Sequence, residues 1–122
     1  MKRVEMLFLM VLLLFNVAGC SGGSYAISIG EIESSKNSIV GEYNSFSGDY
    51  FKKVNVEKGD SYKVSFSVYT EEGELTAKVM DSNGETLKTL KDGDTFTLNQ
   101  LGTYKLQVEG EKHRGSFALS WE

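Results

Sequence analysis

Few side chains in this chain of 122 residues could do chemistry. There is one cysteine, Cys20, and one histidine, His113, so neither an internal disulfide nor a Cys/His cluster for zinc or an iron–sulfur centre can form. His113 lies between Lys112 and Arg114 with no acid beside it to orient a general base, and it reads as a solvated residue at a hairpin tip. Serine is plentiful, yet the Gly-x-Ser-x-Gly elbow, the Gly-rich phosphate loop and His-Glu-x-x-His are all missing. No catalytic residue is expected, and the chain is read as a non-enzyme. Asp81, Asn83 and Glu85 alternate around Gly84 and are the candidates should calcium bind. The twelve-residue calcium loop with its terminal Glu is absent, however, and Asp and Asn are also the residues of tight turns. Asp92 and Asp94 are read the same way, so no metal or cofactor is expected. Phe51 and Tyr69 fall on the polar parity of their segments, which makes them candidate ligand contacts able to stack on a sugar or anchor a partner.

The elements that would position these groups are strands. From Tyr25 onward no window carries apolar residues at helical spacing, whereas period-two alternation recurs. Tyr62, Val64, Phe66 and Val68 alternate with mostly polar neighbours, as do Leu75, Ala77 and Val79. Tyr104, Leu106 and Val108 are followed by Phe117, Leu119 and Trp121, and Gly110 and Gly115 bracket a polar Glu111–Arg114 segment that predicts a hairpin loop between them. Asp81-Ser82-Asn83-Gly84, Asp92-Gly93-Asp94 and Gly59-Asp60 predict further turns. Residues 25–47 alternate less clearly, with a polar stretch from Glu31 to Asn37. Eight or nine short strands separated by turns predict an all-β antiparallel sandwich, jelly-roll-like, over 25–122, after an N-terminal signal helix.

The first residues are an address. Lys2 and Arg3 precede an apolar run from Met6 to Phe15, which is short for a span that needs roughly 20 residues. Val17-Ala18-Gly19-Cys20 then closes it, and this order of an aliphatic residue, two small residues and Cys resembles the lipobox of bacterial lipoproteins. That resemblance implies a signal peptide over 1–19, cleavage between Gly19 and Cys20, and a diacylglyceryl group on the Cys20 sulfur. Two or more acyl chains hold a protein stably where one does not. Ser21-Gly22-Gly23-Ser24 reads as a flexible tether, so 20–24 are the lipidated cysteine and its leash.

From about Gly48 to Trp121 the features resemble the bacterial pre-peptidase C-terminal domain: Tyr50 to Val56 before the Gly59 turn, Leu75 to Gly84, Leu101-Gly102-Thr103-Tyr104, and Gly115 to Trp121. What this implies is a jelly-roll-like sandwich with a role in adhesion, targeting or ligand binding outside the cell, with calcium in some members.

The formal charge of −4 becomes one unit more negative when Lys2, Arg3 and Glu5 leave with the signal. Such a body is not expected to bind nucleic acid, and its membrane association is expected to come from the lipid alone. The function expected is a membrane-anchored, extracytoplasmic, noncatalytic binding module on the cell membrane or outer membrane, with a glycan or an envelope protein as its partner. The alternative is a structural accessory subunit that docks an envelope enzyme or transporter through an exposed strand edge.

Overall fold

The computed structural model describes residues 21–122. The signal segment over 1–19, its cleavage site at Gly19 and Cys20 itself lie outside the described residues.

Seven strands make up the body: β1 (Ser21–Gly22), β2 (Tyr25–Ser35), β3 (Ser38–Val56), β4 (Tyr62–Met80), β5 (Thr86–Leu90), β6 (Thr95–Leu98) and β7 (Gly102–Trp121). All pairings are antiparallel, in the order β1-β3-β7-β4-β5, with β2 also on β3 and β6 also on β4. The alternation read from the sequence survives, but the segments join differently. Where eight or nine short strands were expected, three strands of 19 or 20 residues each contain two of them.

Each long strand changes its inward parity once. In β3 the buried side chains run Ile39, Tyr43, then Phe46, Val54 and Val56; in β4 they run Val64 and Phe66, then Ala77 and Val79; in β7 they run Tyr104, Leu106 and Val108, then His113, Phe117, Leu119 and Trp121. An extra residue in one strand does this, because side chains alternate with period two. The register breaks where expected, between Tyr43 and Gly48 in β3 and between Thr70 and Glu74 in β4. Gly73 and Lys112 take positive φ at the same level. These irregularities line up across neighbouring strands and form a bend.

On one side of the bend lies a layer of β2, the first half of β3, the last half of β7, the first half of β4, and β6. On the other lies a layer of β1 and β5 with the remaining halves. Their inner faces bury one shared apolar cluster, which is a β-sandwich whose layers are continuous through three strands.

Two expectations are corrected here. The segment between Gly110 and Gly115 is no hairpin loop but the middle of β7, and its halves belong to opposite layers. The polar residues there mark the bend, where an extra residue interrupts the pattern as a turn would. The tether expected over Ser21–Ser24 is zipped onto β3: Ser21 and Gly22 pair with Lys52 and Phe51, and Ser24 and Asp49 exchange backbone and carboxylate hydrogen bonds at 2.9 Å. Gly23 permits this, since a Cβ there would lie 2.2 Å from the Asp49 carbonyl oxygen.

Candidate functional site

Beside the bend, the outer face of the first layer carries an open groove of about 700 Å³. The register sets its floor: Glu31 of β2 lies opposite Glu42 of β3, Glu42 opposite Ser116 of β7, and Ser116 opposite Tyr69 of β4, one row across four strands. All four occupy outward positions. Tyr69 stands 62% exposed, so its ring is available to a ligand. Toward the bend the rim is made by Asn44, Glu71 and Arg114, and the Arg114 Nε lies 3.0 Å from Glu71 Oε2. A shallower extension shares Glu42, Tyr69 and Ser116 and continues to Val40 and Ala118.

Ile29 closes the β2 end of the groove. It is 79% exposed and has φ near 44°, a left-handed conformation that a β-branched side chain seldom takes. Strain of this kind costs on the order of 1–3 kcal/mol and gathers at working surfaces. Here it turns an apolar side chain outward where strand regularity would break in any case.

Under the groove floor lies His113, fully buried. Its Nδ1 is 2.7 Å from the Tyr43 hydroxyl and its Nε2 is 2.8 Å from Thr70 Oγ1, so the ring ties β7 to β3 and β4 at the bend. A neutral imidazole has one N–H, so one hydroxyl donates to the ring and the other accepts from it. Burial pushes the imidazole below its ordinary value and pushes the Tyr43 phenol well above the usual range. The solvated hairpin-tip position expected for His113 is therefore overturned. The sequence did hold the signal: His113 sits on the parity of Phe117, Leu119 and Trp121, four residues before the first of them. With no carboxylate among its hydrogen-bond partners and no solvent access, it acts as a structural tie.

The remaining candidates are dispersed. Phe51 lies on the outer face of the other layer, half-buried, with the Lys105 ammonium 4.3 Å from its ring centroid and Gly22 paired beside it. It does not share a surface with Tyr69. Asp81 Oδ1 accepts from the backbone N–H groups of Asn83 and Glu85, which makes this group a turn. Asp92 Oδ1 accepts from Val68 N–H and Asp94 Oδ2 from Lys91 N–H, tying the β5–β6 connection to the edge of β4 and to itself.

No protein-family model and no curated protein matches the chain. Solved structures do share its architecture. A carbohydrate-binding module of family 61, in complex with β-1,4-galactotriose, is 16% identical with a TM-score of 0.51, and the match covers 85% of this chain and 88% of that one. The carbohydrate-binding module from Cellvibrio mixtus lichenase 5A, in complex with cellotriose, is 15% identical at a TM-score of 0.41, covering 80% of this chain and 86% of that one. The enzymatically active domain of bacteriophage CBA120 tailspike protein 4 is 11% identical at a TM-score of 0.44 over 84% of this chain, which spans only 18% of that protein. The first of these likenesses shows the fold, an all-β sandwich.

Proposed function

We propose that the protein is a noncatalytic glycan-binding module, anchored by a lipid on Cys20 and facing the extracytoplasmic side of a cell membrane or outer membrane. The observation that carries the glycan reading is the exposed Tyr69 ring set in an open groove among polar side chains that converge from four strands. An aromatic face packs against the C–H face of a pyranose while carboxylates and amides bond its hydroxyls. The fold shared with a module solved with a β-linked galactotriose makes β-1,4-linked oligosaccharides the first ligands to test. Among the described residues Arg114 is the one cation lining the groove, and Glu71 engages it, so the remaining carboxylates favour neutral or amine-bearing sugars over uronic or sulfated ones.

Titration calorimetry against neutral and anionic oligosaccharides tests this reading. Binding of a neutral oligosaccharide that Tyr69→Ala reduces at least tenfold supports it, and equal binding by the variant refutes the site. The lipid reading rests on Val17–Cys20, and intact mass and membrane fractionation of Cys20→Ala test it. Unchanged mass and membrane retention would refute the anchor.

The accessory reading is favoured by one feature. The outer edge of β2 is unpaired among the described residues and carries the exposed Ile29. Stoichiometric capture of one envelope protein, lost on placing a proline in β2, would favour docking by strand addition.

A further inference from the structure

The chain enters the described structure at Ser21, whose β3 partner is Lys52. This is the end of the sandwich away from the bend. The next residue of β3, Lys53, lines a cleft of about 480 Å³ at that end, together with Lys36, Asn37, Asn55 and Glu122. Lys53 also lies directly opposite Lys105 on β7, a like-charge pair that costs stability unless something anionic faces it. Among the described residues the ion pairs are Lys78–Glu109 and Glu71–Arg114, and with Lys105 set over the Phe51 ring, Lys36 and Lys53 keep their charge for another partner.

The bend has the opposite character. Glu71, Glu72, Glu74 and Glu111 crowd it, with Lys112 and Arg114 to offset them. Of the carboxylates at the lysine end, Asp60 Oδ2 and Asp81 Oδ1 accept from backbone N–H groups of their own turns, away from the cleft lining, and Glu122 lies in it. Net charge alone argued against any electrostatic affinity for anionic lipid, but the cleft itself is lined by two lysines against one glutamate.

We propose that the lysine-bearing cleft is the membrane-facing end of the protein and takes the phosphate of an anionic phospholipid headgroup, which holds the Tyr69 groove away from the bilayer. The proposal rests on the lipid-anchor reading above. Because Ser21–Ser24 are zipped onto β3 rather than free, an anchor attached just before them has no slack, and the surface next to Lys52 and Lys53 must meet the headgroups. Asn37 of the cleft and Asn44 of the groove are seven residues apart along the β3 side of the sheet. At a strand rise of about 3.3 Å per residue this puts the groove roughly 23 Å farther out.

The test uses the full, processed protein in vesicles of phosphatidylcholine with phosphatidylglycerol, labelled at a single introduced cysteine by Ser61→Cys or Asn44→Cys. A headgroup spin label should quench the dye at position 61 at least fivefold more than the dye at position 44. Each lysine near an anionic surface biases orientation by about fivefold. Lys36→Glu with Lys53→Glu, or omission of phosphatidylglycerol, should therefore shrink that ratio. Equal quenching at the two positions, or a ratio indifferent to both changes, overturns the proposal while leaving the anchor intact. Protein that carries no lipid by mass spectrometry and fails to enter vesicles overturns the anchor and this proposal together.

Discussion

Tyr43→Phe removes one oxygen from the bend and leaves every ring in place: Tyr43 stacks on Phe46 at 5.3 Å and meets the His113 edge at 5.6 Å, and phenylalanine keeps both arrangements. What is lost is the partner of His113 Nδ1. Leaving a buried polar atom without its hydrogen bond costs about 1–3 kcal/mol. For a domain of this size each kcal/mol moves Tm by roughly 4–8 °C, so a loss near the middle of that range lowers Tm by about 8–16 °C. The asymmetry of hydrogen-bond energetics sharpens the test, because replacing both partners by apolar groups of similar shape is nearly neutral. In Tyr43→Phe with His113→Leu no buried nitrogen is orphaned, and the exposed Thr70 turns its hydroxyl to water. The double variant should therefore be more stable than Tyr43→Phe alone, with a coupling energy of at least about 1 kcal/mol. Urea unfolding reads this directly through Trp121, the chain's single tryptophan, which is 3% exposed in the folded protein. Strict additivity of the two substitutions, or a Tyr43→Phe loss below about 0.5 kcal/mol, would show that the tie at the bend is not what the geometry says.

Three further outcomes are expected. Since burial lowers the His113 value in the folded state, the unfolded chain binds the extra proton first on acidification. The stability that neutral His113 contributes is present above about 6.5 and is lost as pH falls below it, and His113→Gln should flatten the urea midpoint between pH 7.5 and 5 relative to wild type. Gly110→Ala should cost about 1–3 kcal/mol by thermal denaturation, because its Cβ would sit 2.2 Å from Phe46 Cδ1 and 2.9 Å from the Phe46 carbonyl oxygen, too close for both to yield. Phe51→Ala should leave oligosaccharide affinity within twofold of wild type while Tyr69→Ala reduces it at least tenfold, and the reverse order in calorimetry would move the site to the other layer.

Much of the architecture was legible in the sequence because period-two alternation reports which side chains point inward. Val64 and Phe66, Ala77 and Val79, Leu106 and Val108, and Leu119 and Trp121 all face the core as their spacing predicts. Connectivity was not legible at the bend. An extra residue in a strand and a turn between two strands both interrupt alternation, and both attract glycine and polar residues, so Gly110 to Gly115 reads as a hairpin when only local sequence is considered. The same ambiguity hid His113, whose charged neighbours suggested solvent although its own parity pointed inward. Tyr69 was legible as an outward aromatic; its companions Glu31, Glu42 and Ser116 were not, because they meet it only through register across strands far apart in sequence. Ser21–Ser24 mislead for a related reason, since small residues that make a loose coil in isolation also fit closely against an edge strand.

The position of β7 governs the order in which the molecule can come into being. It is the last described strand to be synthesised, yet it sits between β3 and β4, which have no direct pairing with each other. Until the 20 residues of β7 emerge, neither half of the body has its middle, and the partners to be joined are as distant as Ser38 and Ser120. Closing such remote pairs is slow. A nascent chain built this way can pair β2 with β3 and β5 and β6 with β4 early, but its two halves join only when β7 is available between them.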